Sequence, residues 1–146
     1  MSYKGIYRPS NPKKYKGDSK NIIYRSLWER KFMNYCDLNE NILEWASEEF
    51  WIPYLDPTTN RVRRYFPDFF IKYKDKDSNI RRSVIEVKPM RETLQPKATK
   101  GKSRKTMINE SMTYVKNQAK WKAAREFCAD RKLEFKIMTE KELGIR

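Results

Sequence analysis

The segment PDFFIKYKDKDSNIRRSVIEVKP, residues 67–89, places two runs of aromatic and β-branched residues on either side of a short polar turn. Such runs, bounded by Asp, Asn and Ser, are typical of neighbouring β-strands. We therefore predict one strand over 61–73 and another over 80–88, joined by a turn at 74–79. These two strands carry the acidic residues of greatest chemical interest.

The second strand carries an acid and a base side by side. Because side chains alternate along a strand, Glu86 and Lys88 project on one face, while Ile85 and Val87 project on the other. An adjacent strand would hold Asp68 beside Glu86. Carboxylates are hard ligands for Mg²⁺, and an ammonium group steadies an attacking hydroxide or the charge on a phosphorane. The pattern predicts metal-dependent phosphate chemistry, with Asp68, Glu86 and the carbonyl oxygen of Val87 as metal ligands.

Each of these residues also has a simpler explanation. Glu86 and Lys88 could form an exposed pair of opposite charges, which is common and stabilises little. Their place in an otherwise apolar strand favours a functional site. Glu29 follows Ser26 in the pattern of a capping box, and this helix cap alone could explain the glutamate. We include Glu29 in the predicted site because the two roles are compatible.

The other predicted elements give a mixed α/β arrangement with helices flanking one sheet. They are a helix at 26–38, a strand or bent hairpin at 43–54, a helical segment at 103–132 and a strand at 133–139. Two apolar stripes in the long helical segment are out of phase. A break near Asn117 and Gln118 is the simplest account, and one long helix buried on two sides is the alternative. Thr139 and Glu142 form a capping-box pattern for a short terminal helix.

Two basic segments are predicted to be irregular. Residues 1–21 hold prolines, glycines and tyrosines among cations, and form an arm outside a domain of residues 22–146. This arm either clamps nucleic acid or is a disordered or self-packed tail. A second basic loop covers 89–105. The residues expected to contact DNA are Arg63, Arg64, Lys97, Lys100, Lys102, Lys105 and Lys120. Alternation implies that only one of the two arginines faces the cleft.

The composition limits the possible functions of this chain, whose 146 residues fit one domain. A net charge of +14 favours a polyanionic partner, although a solvated basic surface is the alternative. The chain has no histidine, which excludes catalytic triads and nucleases that depend on that residue. Its two cysteines have no CxxC spacing, so neither a disulfide framework nor a zinc site is predicted. No apolar run could cross a membrane, and a cytoplasmic protein is expected.

The complete set of motifs resembles a known family. The matching strings are Tyr24-Arg25-Ser26-x-Trp28-Glu29, Trp45-x-Ser47-Glu48, Ile52-Pro53-Tyr54, Arg63-Arg64-Tyr65-Phe66-x-Asp68, Ile85-Glu86-Val87-Lys88-Pro89 and Lys120-Trp121-Lys122-Ala123-Ala124. The core motif is similar to that of the PD-(D/E)xK nuclease superfamily. The full set closely resembles the head-completion nucleases of large contractile-tailed phages. A more distant likeness is to the endonuclease subunit of cut-and-paste transposition systems and to a phage junction resolvase.

The resemblance implies a restriction-endonuclease-like fold, a mixed sheet flanked by helices. It also implies endonucleolytic or exonucleolytic DNA cleavage with Mg²⁺, for which Mn²⁺ substitutes, and a role in finishing packaged heads before tails attach. The expected partners are DNA and the portal or head-neck proteins, in the host cytoplasm and at the virion head. The catalytic residues that it implies are Glu29, Asp68, Glu86 and Lys88.

Other functions fit parts of the sequence. One alternative is a non-catalytic protein that binds DNA ends or the portal, and another is a basic RNA-binding protein with carboxylates brought together by chance. Gly5-Ile6-Tyr7 and Tyr15-Lys16-Gly17 superficially resemble the GIY-YIG nucleases, but prolines and lysines interrupt that segment. No base-reading motif is evident, so structure-dependent or nonspecific cutting is expected.

Overall fold

A computed structural model describes residues 4–144 of the chain. The strands are β1 (Gly5–Tyr7), β2 (Ile22–Tyr24), β3 (Ile42–Ser47), β4 (Ile52–Asp56), β5 (Arg61–Tyr65), β6 (Phe69–Lys74), β7 (Ile80–Val87) and β8 (Glu134–Met138). The helices are α1 (Leu27–Leu38), α2 (Met90–Thr93), α3 (Arg104–Asp130) and α4 (Glu140–Leu143), with a 3-10 turn at Pro12–Lys14. Within this range, no helix has the length and apolar character that a membrane crossing requires.

A four-stranded mixed sheet in the order β3-β6-β7-β8 forms the centre of the fold. β6 is antiparallel to both β3 and β7, while β7 and β8 run parallel, with α2 and α3 in the connection between them. Ile85 of β7 joins a core with Phe32 and Met33 of α1, and Phe135 of β8 joins a core with Trp121 of α3. Helices therefore cover both faces of the sheet, and the predicted restriction-endonuclease-like α/β fold is confirmed.

The single strand predicted over 61–73 is wrong. β5 pairs with β4 in a separate two-stranded hairpin, and β6 belongs to the central sheet. The chain changes sheets at Phe66 and Pro67, where the proline has no N–H to continue a ladder. The segment 43–54 likewise splits into β3 and β4, which do not pair with each other. Glu48 between them has a left-handed φ of 53°, and there the chain leaves the central sheet.

Helix α3 is continuous over 27 residues, so the predicted break near Asn117 is wrong. The two apolar stripes are out of phase because they have different surroundings. Trp121, Ala124 and Cys128 are buried, whereas the stripe nearer the start of the helix is exposed. In the predicted basic loop at 89–105, the regular parts are the short helix α2 and the first two residues of α3, which begins at Arg104.

The segment predicted as an irregular arm is folded onto the domain wherever it is described, while its residues 1–3 lie outside the described range. β1 pairs with β2, and Tyr7 and Tyr15 are buried. The Tyr15 hydroxyl donates a hydrogen bond to Glu49 at 2.7 Å and accepts one from the Ser47 amide at 3.1 Å. Of the predicted alternatives, the structure therefore shows a segment that packs on the domain, because Tyr7 and Tyr15 fill the core beside β3. Its regular parts are β1 and the 3-10 turn.

Candidate active site

Four elements meet at one edge of the central sheet: the ends of β3 and β7, the start of β6 and the N-terminus of α1. The register pairs Phe69 with Ser47 on one side and with Ile85 on the other. Asp68, one residue earlier, therefore lies between Glu48 and Glu86. The Glu48 amide donates to the Asp68 carbonyl oxygen at 3.2 Å, which fastens the two segments together.

Three carboxylates cluster at this edge. Glu29, Glu48 and Asp68 each offer an oxygen, and the three oxygens all lie within 4.8 Å of one another. The predicted residues Glu29 and Asp68 are thus brought together, and Glu48 joins them. Oxygen donors at this spacing have the chemistry that Mg²⁺ and similar hard cations prefer. The cluster is therefore able to hold a divalent metal ion.

The electrostatics of the cluster favour a bound cation. Burial and the negative charge of Glu86 raise the pKa of Asp68 well above its usual range, against the opposing effect of a hydrogen bond from the Val87 amide. Burial also raises the pKa of Glu29, and the charge of Glu48 adds to the shift. Both shifts reflect crowded, poorly solvated negative charge. A divalent cation would relieve this repulsion.

Glu86 and Lys88 lie on one face of the end of β7, as strand alternation predicts. The Glu86 side chain is only 7% exposed, and its Oε1 accepts a hydrogen bond of 2.8 Å from the Tyr65 hydroxyl. Lys88 Nζ lies 3.9 Å from Glu86 Oε2. Among the described residues, the group of three carboxylates within 4.8 Å of one another does not include Glu86. Glu86 thus stands between Tyr65 and Lys88, beside the cluster.

The backbone amide of Val87 positions one of the carboxylates of the cluster. Its N–H donates to Asp68 Oδ2 at 2.8 Å, which fixes the aspartate side chain against β7. The carbonyl oxygen of Val87 stays a predicted metal ligand.

The start of α1 holds Glu29 close to the cluster. Ser26 caps the helix by accepting from the Glu29 amide at 3.1 Å. The Glu29 carboxylate accepts from the Ser26 hydroxyl at 3.3 Å and from the Arg25 amide at 3.4 Å. The predicted capping box is therefore only half formed, because the carboxylate bonds the amide before the cap residue. Its cap contacts leave Glu29 within the acidic cluster.

Comparison with known proteins decides the family. The family described as "TnsA-like endonuclease N terminal" matches residues 39–140. The head completion nuclease of Enterobacteria phage T4 is 39% identical over 143 residues, which are 96% of this chain and 93% of that protein. The chain belongs to the TnsA-like endonuclease family. The family match contains Glu48, Asp68, Glu86 and Lys88, and begins ten residues after Glu29.

A divalent metal fits the site of this TnsA-like endonuclease. The clustered donors are carboxylate oxygens, and the chain has no histidine that could supply an imidazole ligand. A hard cation suits such a donor set better than a soft one.

Three residues of the site carried no functional assignment from the sequence. Glu48 completes the acidic cluster. The Arg25 guanidinium donates two hydrogen bonds of 3.1 Å to the Glu48 carboxylate. Tyr65 bonds Glu86. All three lie within the strings that resemble known nucleases, which was the available signal. Only the pairing of distant strands shows what their side chains contact.

The residues predicted to contact DNA have different surroundings. Arg63 pairs with buried Asp56 at 3.1 Å, whereas the Arg64 guanidinium lies 4.8 Å from the centre of the Trp51 ring. Lys120 is half-buried against aromatic rings, and burial lowers its pKa. Lys102 pairs with Glu110 at 2.9 Å. Outside the β4–β5 hairpin, the exposed residues among those predicted to contact DNA are Lys97, Lys100 and Lys105.

Proposed function

We propose that this chain is a metal-dependent DNA nuclease that acts in phage head completion. The observation that carries the proposal is the meeting of Glu29, Glu48 and Asp68 at one edge of the sheet, with Glu86 and Lys88 beside them. Grouped carboxylates suit a divalent cation, and a nearby ammonium suits the charge that develops as a phosphodiester is hydrolysed. The T4 relative bears the name of this activity and of this stage of assembly.

Asp68, Glu86 and the carbonyl oxygen of Val87 would hold the ion, with Glu48 as a further carboxylate. We propose Mg²⁺ as this ion and Mn²⁺ as its substitute. Such an ion, when bound, acts as a Lewis acid toward the phosphate and lowers the pKa of a bound water. The Val87 amide keeps Asp68 oriented toward the cluster.

Lys88 would act on the nucleophile and on the charge of the transition state. Its side chain is 28% exposed, so the ammonium reaches solvent while it stays 3.9 Å from Glu86. From there it steadies hydroxide before attack and the phosphorane charge after it. Glu29 would orient the attacking water or bind a second ion, since Ser26 and Arg25 restrain its carboxylate.

The substrate we propose is DNA, cut internally or from its ends. A net charge of +14 attracts the phosphate backbone, and the exposed Lys97, Lys100 and Lys105 add affinity without reading sequence. The chain would act in the infected host cell and at the virion head, with portal or head-neck proteins as its partners.

The test is a cleavage assay on linear and circular DNA with Mg²⁺, with Mn²⁺ and with EDTA. We expect wild type to cut only with metal, and Asp68→Asn and Glu86→Gln to lose at least about 100-fold in rate. Glu40→Gln is the matched control, because Glu40 is an exposed glutamate away from the site. Full activity of both site variants would refute the assignment. Phage assembly supported by inactive variants would instead favour a non-catalytic role in binding DNA ends or the portal.

A further inference from the structure

Among residues 4–144, no element covers the outer face of the hairpin of β4 and β5. Ile52, Tyr54 and Tyr65 point to the core against α3 and are buried. The residues that alternate with them point outward, and Pro53 is paired with Arg64 and Leu55 with Val62 across the hairpin. The large apolar side chains exposed along this hairpin and at its base are Trp51, Leu55, Val62 and Phe66. Exposed apolar patches of this kind commonly mark a binding surface.

Two aromatic residues stand at the base of the hairpin, next to the acidic cluster. Trp51 is 45% exposed and Phe66 is 46% exposed. Phe66 precedes Asp68 by two residues, and Trp51 follows Glu48 by three. Since an extended residue spans at most about 3.6 Å, their Cα atoms lie within about 7 Å and 11 Å of those acids. The backbone of the aromatic pair therefore lies close to the proposed catalytic site.

The positively charged side chain of Arg64 lies beside this aromatic pair. The Arg64 guanidinium lies 4.8 Å from the centre of the Trp51 ring, within the range of a cation–π interaction. The interaction restrains the ring and keeps a positive charge beside it. Exposed aromatic faces with an adjacent guanidinium are suited to nucleic acid, because bases stack on the rings and phosphate pairs with the cation.

We propose that Trp51 and Phe66, supported by Arg64, stack on an unpaired base next to the phosphodiester that is cut. Inside a duplex both faces of each base are already stacked on neighbouring bases, so these rings would have to displace a base to reach one. DNA with an unpaired strand at the cleavage point is then bound better than continuous duplex. The inference rests on the proposed nuclease function and names the substrate class of the same site.

The test measures binding in EDTA, so that no DNA is cut. The probes are a duplex with a single-stranded extension, carrying 2-aminopurine at its first unpaired position, and the corresponding complete duplex. We expect Trp51→Ala and Phe66→Ala each to weaken binding of the extended DNA by about fivefold to a hundredfold, and to reduce quenching of the probe. Binding to the complete duplex should change less than about twofold.

Leu55→Ala is the matched control. Leu55 is an exposed apolar residue on the same face, four residues and about 14 Å farther along the strand from Trp51. It should behave as wild type with both probes. Equal losses on both DNAs, or no loss on the extended one, would overturn the proposal. A wild-type dimer that Trp51→Ala converts to monomer, with unchanged preference for the extended DNA, would also overturn it and identify the face as a contact between copies.

Cleavage of the same two DNAs with Mg²⁺ distinguishes a failure of the stacking proposal from a failure of the nuclease proposal. If wild type cuts DNA but the aromatic variants keep the wild-type preference, only the stacking proposal fails. If wild type cuts neither DNA, the nuclease proposal fails, while the binding measurements still decide whether the rings stack on a base.

Discussion

Replacement of Tyr65 by phenylalanine tests how Glu86 is held. The Tyr65 hydroxyl donates a 2.8 Å hydrogen bond to Glu86 Oε1, and both residues are buried. Burial, followed by the charge of Glu86, raises the pKa of Tyr65, so the phenol stays protonated and donates at neutral pH. Tyr65→Phe removes this donor and leaves the ring in place. The carboxylate then keeps only Lys88, at 3.9 Å, as a charged partner within 4 Å among the described residues.

The expected loss of folding stability follows from the charge of the hydrogen-bond acceptor, Glu86. A hydrogen bond to a charged group contributes about 1.5–3 kcal/mol to stability. For a domain of this size, such a loss lowers the melting temperature by about 3–12 °C. Thermal and urea unfolding of the metal-free protein measure this loss of stability. Tyr35→Phe is the matched control, because Tyr35 is exposed and should change stability little.

A double-mutant cycle with Glu86→Ala, which removes the acceptor oxygens, tests whether Glu86 is the partner of the Tyr65 hydroxyl. If the hydroxyl acts through Glu86, the two substitutions should couple by at least about 1 kcal/mol. Additive effects, or a Tyr65→Phe variant as stable as wild type, would refute the reasoning.

Three further predictions concern the charges of the site and of the DNA-binding surface. Because the pKa of Asp68 is raised, the folded protein holds its proton more tightly than the unfolded chain, so stability without metal should fall as pH rises from the unfolded value near 3.8 through the raised folded value. Asp68→Asn should reduce that fall, leaving the smaller one that the raised pKa of Glu29 causes, and should lose the thermal stabilisation by Mg²⁺. A stability profile with pH identical to wild type would contradict this. Glu48→Gln should weaken Mn²⁺ binding by about tenfold in calorimetry, with Glu40→Gln unchanged; equal affinity in both variants would exclude Glu48 as a ligand. Binding to duplex DNA that covers about six phosphates should give a log–log salt slope near −5, and a flat response would exclude the electrostatic account.

Local patterns predicted the elements whose ends are fixed by local chemistry. The Ser26 cap begins α1 at Leu27, and the capping box of Thr139 and Glu142 begins α4. β7 and β8 also lie where apolar and β-branched runs place them. In each case the residues that set the element are neighbours in sequence.

Features that depend on distant partners were not predicted. The change of sheet at Pro67 depends on β4 being present to pair with β5, and the continuity of α3 depends on which half of the helix meets the core. The same is true of the site. Glu48 joins Glu29 and Asp68 only because β3 pairs with β6 and α1 starts at the same edge. Strand order and helix position are properties of the whole chain.

Single-turnover cleavage of linear DNA by wild type and Lys88→Ala, in Mg²⁺, tests the nuclease mechanism most directly. Lys122→Ala, which removes an exposed lysine of α3, is the control for charge. Lys88→Ala should lower the cleavage rate by about 10²–10³-fold while the DNA dissociation constant stays within about threefold of wild type. A Lys88→Ala variant that cuts DNA as fast as Lys122→Ala would contradict the account.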